Sequence, residues 1–238
     1  MKTDKIKDAF ARVALPKAAE TKEFIKTNGH YIIGQYSIEQ VYSGMKGMIG
    51  MVTETSKLDP DEGIRFRGYS IPELRAKLPK APGDTEPLPE GIFYLMLIGE
   101  MPTDEDVTNV SNAWARRSNV PKHVFDTLDK LPLTTHPMTQ FSIAVMALQT
   151  ESVFAASYRK GLNKKDYWDS MYEDVMNLIA RLPRVAAYIY RRIYKNNIHI
   201  EPDPKLDWAA NFAHMLGCLL YTSPSPRDRT RSRMPSSA

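Results

Sequence analysis

Cysteine is almost absent from this sequence, which carries a single thiol, Cys218, among 238 residues. One cysteine cannot form an internal disulfide or a Cys-x-x-Cys metal site, so a disulfide-stabilised secreted domain is excluded. The low cysteine content favours a reducing compartment. A reactive role for Cys218 would need a basic neighbour, which the surrounding sequence does not show, so we interpret it as an incidental thiol.

Long apolar runs are also missing. The longest candidate is Phe93–Ile98, whereas a bilayer-spanning helix needs about 18 residues or more, so we expect no membrane segment. The N-terminus, Met1–Lys5, has neither the apolar core nor the cleavage site of a secretory signal. Asp4, Asp8 and Glu20 argue against an intact mitochondrial presequence, because such presequences avoid acidic residues.

Positive charge is concentrated at the C-terminal end of the chain. The net charge of +4 and the pI of about 9.0 are values that suggest a nucleic-acid partner. Residues 218–238 hold four arginines against one aspartate, a surplus of three, so the rest of the chain carries only +1 (4 − 3). We therefore expect no nucleic-acid partner for the main part of the chain.

Residues 218–238 also differ in composition from everything before them. Ser, Pro and Arg dominate, and such segments cannot bury enough apolar surface to offset the entropy of ordering. One interpretation is an arginine–serine tail that binds nucleic acid or is phosphorylated. We favour another, that this tail is disordered and not native to the fold, because the change at Gly217 falls within a predicted helix rather than in a linker.

Helix signals dominate residues 1–217. The apolar pattern of Lys5–Lys26 predicts one helix, or two helices broken at Pro16. Residues 142–158, rich in Ala and Met, predict one long helix that is buried on more than one face. The clearest helix starts are Ser37 with Gln40, Ser70 with Pro72 and Glu73, Thr103 with the acids up to Asp106, and Asn119 with Pro121.

A second long apolar stripe lies further along the chain. It runs from Trp168 to Leu182 with the 3.6-residue spacing of a helix, and it resumes at Val185–Ile193. Pro183 lacks an N–H group, so we expect it to interrupt this helix.

Two short segments near the N-terminus have the composition of strands. They are Tyr31–Tyr36 and Met48–Thr55, which are rich in β-branched, aromatic and glycine residues. Together they predict a small hairpin-like element. The sequence therefore predicts an all-α fold with a minor β-hairpin near the N-terminus.

One motif connects these elements to a known family. Glu54–Glu73, ETSKLDPDEGIRFRGYSIPE, resembles the signature region of citrate synthases of the mitochondrial type. Further segments follow in the order and spacing of that family, and the resemblance covers residues 20–217. They are Glu86–Gly91, His136–Met138, Tyr172–Asp174, Leu182–Pro183, Ala186–Arg191, Leu206–Trp208 and Asn211–Gly217. The chain is therefore identified as a member of the citrate synthase family that resembles its N-terminal part.

The resemblance implies a fold and an activity. Residues 1–217 would form an incomplete multi-helical large domain of an enzyme that is a homodimer, with residues 218–238 as a separate tail. The implied reaction condenses acetyl-CoA with oxaloacetate and hydrolyses the thioester to citrate and CoA, in the mitochondrial matrix. Acetyl-CoA is then a substrate, and neither a cofactor nor a metal is implied. A methylcitrate synthase, which uses propionyl-CoA, and a non-catalytic module that pairs with a full-length subunit are the alternatives.

The groups that such a reaction needs are not found in this sequence. Removing a proton from a thioester methyl group requires a carboxylate base and a donor for the enolate oxygen. The family places these groups in segments that resemble Ser-Asp-His-Glu, Gly-Pro-Leu-His-Gly, Pro-Gly-Tyr-Gly-His and Asn-Val-Asp-Ala-His, and none of these occurs here. We therefore assign no catalytic residue and expect a chain truncated before the catalytic residues to be inactive.

The five histidines do not replace those groups. None of His30, His123, His136, His199 and His214 has a catalytic partner at a recognisable spacing. His136, which precedes a proline at the start of the long helix, could contact a substrate. We favour capping of that helix or packing in the core as its role.

Two lysines are the candidate binding residues. By resemblance, Lys46 within Tyr42–Met48 and Lys164 within Gly161–Lys165 match family positions where arginines hold the phosphates of CoA. Lysine keeps the charge but loses the planar fork of arginine, so a phosphate contact would be less specific in geometry. The alternative is that both are solvated surface lysines, and the sequence favours neither.

Overall fold

The fold is mainly helical with one small antiparallel sheet, as the sequence predicts. The computed structural model describes residues 4–81, 83 and 85–218. The helices are α1 (Lys5–Asn28), α2 (Ile38–Tyr42), α3 (Ile71–Lys77), α4 (Pro89–Ile98), α5 (Asp104–Arg117), α6 (Lys122–Asp129), α7 (Pro137–Ala147), α8 (Val153–Arg159), α9 (Tyr167–Tyr194) and α10 (Trp208–Leu216). The strands are β1 (Ser56–Asp59), β2 (Gly63–Phe66) and β3 (Tyr69–Ser70). Two compact units are present, residues 1–107 and 108–238.

In the first unit, α1 is one continuous helix. Asp4 caps it by accepting hydrogen bonds from the backbone N–H groups of Ile6 and Lys7 at 3.2 Å. The expected break at Pro16 does not occur. Its surroundings are largely exposed, and water can therefore solvate the carbonyl that the proline leaves without a helical partner.

The β element lies later in the chain than predicted. Neither Tyr31–Tyr36 nor Met48–Thr55 forms a strand, whereas Ser56–Ser70 fold into the order β1-β2-β3. The turn between β1 and β2 explains this location: Asp59 Oδ1 accepts from the N–H groups of Asp61 and Glu62 at 3.0 Å. These bonds lower the pKa of the Asp59 carboxyl. A strand needs a paired neighbour, and this turn brings β2 alongside β1.

The sheet leads directly into the core of the first unit. Ser70 begins α3 with a capping box, in which Ser70 and Glu73 exchange hydrogen bonds, as predicted. The helix then buries Leu74, which packs with Leu78 and with Leu95 of α4. Complete burial of apolar side chains of this size contributes about 1.5–3 kcal/mol each.

The second unit is built around three helices. The residues buried together are Val120, Val124, Leu128, Ala144, Leu148, Val185 and Ile189, and we call this set the α6–α7–α9 core. Its members recur at helical spacing on each element, so each helix presents one apolar face to the others.

The predicted long helix over residues 142–158 is instead two helices. A short 3-10 turn, Leu148–Glu151, separates α7 from α8. Asp174 of α9 accepts hydrogen bonds from the Ser152 hydroxyl at 2.6 Å and from the Val153 N–H at 2.7 Å, and Ser152 caps α8. This side chain fixes a new helix start, and only tertiary contact provides it. The predicted burial on more than one face is also wrong for α7, because Met146 is 75% exposed.

Helix α9 continues through Pro183 and is not interrupted there. A proline at position 183 leaves the carbonyl of Ile179, four residues earlier, without its helical N–H partner. The indole Nε1–H of Trp208 donates to that carbonyl at 3.1 Å. A side chain from α10 therefore replaces the missing backbone donor.

Helix α10 ends before the change in sequence composition. Asp207 caps its start by accepting from the N–H groups of Ala209 and Ala210. It ends at Leu216, where Gly217 adopts a φ of 85°, a left-handed conformation that glycine tolerates. The expectation that Gly217 lies within a helix is therefore wrong. The assignment of 218–238 as a tail stays a prediction, because residues 219–238 lie outside the described part of the chain.

Candidate functional site

Lys46 lies in an exposed turn that follows α2. Gly44, Met45 and Gly47 all have positive φ values of 60–76°, a conformation that suits glycine and is uncommon for methionine. The turn is held by the Met45 N–H, which donates to the Gln40 carbonyl at 2.9 Å, and by the Gln40 side-chain amide, which donates to the Lys46 carbonyl at 3.4 Å. Lys46 itself is exposed, so its ammonium group is accessible to a ligand.

Lys164 lies in a separate basic loop after α8. Asn163 Oδ1 accepts from the Lys165 N–H at 3.1 Å and begins a single 3-10 turn, Lys164–Asp166. Arg159, Lys160, Lys164 and Lys165 are all exposed within seven residues. This clustering gives the loop a positive potential that attracts phosphate groups. Sequence reasoning selected Lys164 and missed Arg159 and Lys160, although the charge run was visible.

An aromatic cluster adjoins that basic loop. The rings of Phe154, Tyr158 and Tyr167 lie with centroids 5.1–6.1 Å apart. Tyr158 is exposed although its neighbours are half-buried. The cluster joins α8 to the start of α9, so it fixes the two ends of the basic loop. Lys46 belongs to the first unit and Lys164 to the second.

His136 caps α7. Its Nδ1 accepts from the Met138 N–H at 3.2 Å, which confirms the favoured interpretation of this residue. His123 approaches the Ala147 carbonyl at 3.1 Å and the Thr150 hydroxyl at 3.2 Å. Both histidines therefore serve helix ends.

The remaining histidines have different surroundings. His199 stacks on Tyr188 with a centroid distance of 3.9 Å, and burial lowers the pKa of its imidazole. His30 is exposed beside Tyr31, and His214 is half-buried in α10. Among the described residues, no group of three or more His, Cys, Asp or Glu is arranged to hold a metal ion.

A polar network that the sequence did not reveal, centred on the buried Arg192 and Gln140, links α6, α7 and α9. Arg192, only 6% exposed, donates to Gln140 Oε1 at 2.9 Å and to the Leu131 carbonyl, and it lies 3.7 Å from the Asp129 carboxylate. Tyr188 donates to the same carboxylate at 2.8 Å. Burial and this hydrogen bond raise the pKa of Tyr188 to about 12. All these groups satisfy one another, so the network is structural rather than reactive.

A cavity of about 170 Å³ in the second unit has a mainly apolar lining. Its walls include Trp114, Pro183, Pro202, Pro204, Trp208 and Met215. The one charged residue in the lining, Arg184, is paired with Glu201 at 2.6 Å. The cavity therefore offers apolar contact and contains no acid–base pair for catalysis.

Within the described residues, no helix is both long and apolar enough to cross a bilayer.

Comparisons with known proteins agree with the sequence resemblance. A family model described as "Citrate synthase, C-terminal domain" matches residues 44–233. The mitochondrial citrate synthases of Kajikia audax and Xiphias gladius are each 50% identical to this chain over 220 residues, which is 92% of the chain and 46% of each relative. The chain thus spans about half the length of the curated relatives that it matches.

Solved structures match the fold at lower sequence identity. The citrate synthase of Pyrobaculum aerophilum is 23% identical with a TM-score of 0.61, over 73% of this chain and 41% of that chain. The Thermoplasma acidophilum enzyme, solved with carboxymethyl coenzyme A and oxaloacetate, is 22% identical with a TM-score of 0.56. The match covers 74% of this chain and 42% of that chain. These structural similarities support the fold alone. Family membership is shown by the family model and by the curated relatives. The chain therefore belongs to the citrate synthase family.

Proposed function

We propose that the protein to which these residues belong is a citrate synthase that condenses acetyl-CoA with oxaloacetate to give citrate and CoA. The observation that carries this proposal is the 50% identity over 92% of the chain to two mitochondrial citrate synthases. Their names also support a mitochondrial location, in the matrix, for this protein. The Thermoplasma acidophilum structure contains a CoA derivative and oxaloacetate together, which supports the choice of substrates.

In this proposal the described residues form a scaffold and contribute to CoA binding. The base and the enolate-stabilising donor would come from family segments that do not occur in these 238 residues. Consistent with this division, His123 and His136 serve helix ends and His199 stacks on Tyr188, while the network around the buried Arg192 satisfies its own members.

Lys46 and Lys164 are the proposed contacts to the CoA phosphates. Both are exposed, and neither ammonium forms an ion pair with the rest of the described chain. Gly44 and Gly47 leave the backbone around Lys46 open, since a side chain at Gly44 would meet no atom within 4 Å. The positive charge of Arg159, Lys160 and Lys165 would add to that of Lys164.

The proposed enzyme is a homodimer. Helix α7 exposes Met138, Ser142 and Met146 at four-residue spacing, which places them on one face. Helix α9 exposes Met171 and Val175 at the same spacing. Methionine-rich exposed faces of this kind favour association, because methionine adapts its shape to a partner.

A chimera tests the activity. Residues 1–217 would be joined to the part of the Kajikia audax enzyme that has no counterpart here, and oxaloacetate-dependent release of CoA from acetyl-CoA would be measured. We expect activity in the chimera and none in the 238-residue chain. A correctly folded chimera without activity would contradict the proposal, and activity of the 238-residue chain would contradict the assignment of the chemistry to absent segments.

The same chimera tests the binding residues and the alternative substrate. Lys164→Ala should raise the KM for acetyl-CoA by about tenfold, since one phosphate contact contributes on the order of 1.4 kcal/mol, while kcat changes little. Lys130→Ala, another exposed lysine, is the matched control. A higher kcat/KM for propionyl-CoA than for acetyl-CoA would favour a methylcitrate synthase instead.

A further inference from the structure

Exposed apolar surface is concentrated in one part of the first unit. About half of the large apolar side chains that are exposed in the described residues lie between Phe24 and Val52. Ile32 is 85% exposed, and Val52 is 88% exposed. Residues 31–53 contain only two charged residues, Glu39 and Lys46. Surface this apolar and this poor in charge is typical of an interface rather than of a solvated face.

Two extended segments of this region also lack backbone pairing. Residues 32–36 and 49–53 make no backbone–backbone hydrogen bond with any described residue. One contact joins the two segments, the Tyr36 hydroxyl, which donates to the Ile49 carbonyl at 3.2 Å. Their composition predicts strands, and an extended segment with β-branched residues and free N–H and C=O groups can pair with another strand.

We propose that residues 31–36 and 48–53, here named the docking segments, bind an extended segment from the part of the citrate synthase polypeptide that this chain does not match. The new strand would pair with the docking segments by β-augmentation, in which backbone hydrogen bonds supply affinity and apolar side chains supply specificity. Pairing would also fix both ends of the turn that contains Lys46, which lies between the two docking segments.

The choice of occupant rests on the length of the relatives. Only 46% of each curated relative is matched, so more than half of each has no counterpart in these 238 residues. Residues 219–238 are a poorer occupant. They contain three prolines, which cannot donate to a strand ladder, and four arginines, whose charges would face the apolar side chains of the docking segments. A second copy of the chain is a further possible occupant, which the test separates.

Hydrogen–deuterium exchange of the backbone amides tests this inference. The 238-residue chain would be compared with the chimera of residues 1–217 and the unmatched part of the Kajikia audax enzyme. We expect the amides of the docking segments to exchange at least 100-fold more slowly in the chimera, because paired amides are protected from water. Equal exchange rates in a cooperatively unfolding chimera would overturn the inference.

Two variants make the test specific to the docking segments. Ile32→Glu should reduce the protection in the chimera at least tenfold, because it places a charge in the proposed interface. Leu58→Glu is the matched control, since Leu58 is 74% exposed but lies in β1, which is already paired. Loss of protection with both variants, or with neither, would contradict the inference.

The other occupants give different results. Protection in the 238-residue chain that rises with protein concentration would identify a second copy, and protection that disappears on deletion of 219–238 would identify the tail. Either result overturns the inference. If the chimera does not fold, the same exchange measurement is made on two forms of the Kajikia audax enzyme, the full-length enzyme and the part of it that matches this chain. The amides that correspond to the docking segments should then exchange at least 100-fold more slowly in the full-length enzyme. A protected but inactive chimera would count only against the proposed activity.

Discussion

The docking segments and the α6–α7–α9 core contain similar apolar side chains in opposite surroundings. Ile32 is 85% exposed in the first, whereas Val185 is fully buried in the second. In the core, five of the seven buried members lie on three helices, and the backbone groups of these residues are satisfied within each helix. Extended segments cannot satisfy themselves in this way, and they need a neighbour. The difference shows that helices from this chain complete a core locally, whereas the docking segments leave similar apolar side chains exposed.

Removing Arg192 should have the largest effect on stability. Arg192→Ala leaves the fully buried Gln140 Oε1 and the Leu131 carbonyl without their donor and removes the packing of a buried side chain, so we expect the free energy of unfolding to fall by about 3–5 kcal/mol. Urea denaturation would measure the change. Arg184→Ala is the control, because its partner Glu201 is 78% exposed, and it should cost at most about 1 kcal/mol. Equal costs would show that burial does not distinguish the two arginines.

A pair of apolar truncations tests the comparison directly. Leu128→Ala opens a cavity in the α6–α7–α9 core and should lower the free energy of unfolding by about 2–4 kcal/mol. Ile32→Ala in the docking segments should change it by at most about 0.5 kcal/mol in the 238-residue chain. Urea denaturation of both variants measures the difference. A large cost at Ile32 would mean that this segment is already packed in solution.

Removing the hydrogen bond from Trp208 to the Ile179 carbonyl, next to Pro183 in α9, should have a smaller effect on the free energy of unfolding. Trp208→Phe keeps an aromatic ring but leaves the Ile179 carbonyl without its donor, which should cost about 1–2 kcal/mol. In a Pro183→Ala background the new backbone N–H supplies the donor, so the same substitution should cost about 1 kcal/mol less. A double-mutant cycle by thermal or urea unfolding measures this coupling. Additive effects would show that Trp208 contributes through packing alone.

The pH dependence from His199 is the smallest expected effect. Burial lowers the pKa of its imidazole below the ordinary value of 6.5, although Asp129 and Glu201 oppose this. The unfolded chain therefore takes up the proton first, so the stability from neutral His199 is present above pH 6.5 and is lost as pH falls from 6.5 toward the folded pKa. His199→Phe keeps the stacking on Tyr188. We expect the urea midpoint of this variant to change less between about pH 7 and pH 5.5 than the midpoint of the unsubstituted chain. An unchanged slope would mean that other groups titrate there.

Features with a local cause could be predicted from the sequence. The capping boxes at Ser37 and Ser70 formed as predicted, because the interacting side chain and backbone lie within three residues of each other. The helix at residue 104 also began as expected, with Thr103 and Asp106 exchanging hydrogen bonds. His136 caps α7 for the same reason.

Features with a distant cause could not be predicted. The split between α7 and α8 depends on Asp174, and the continuity of α9 depends on Trp208, each more than twenty residues away in sequence. For the candidate site, sequence resemblance identified Lys46 and Lys164, and the structure added their exposure and the neighbouring basic residues. Their role in CoA binding stays a prediction.

The sequence by itself determined the family, the mainly helical fold and the local helix starts, because these follow from residue order and short-range chemistry. Tertiary structure alone decided where α8 begins, that α9 passes Pro183 intact, and that Arg192 is buried among Gln140, Asp129 and Tyr188. The physical reason is that an unpaired carbonyl or guanidinium is satisfied by whichever group the fold brings within about 3 Å, and sequence distance does not limit that choice.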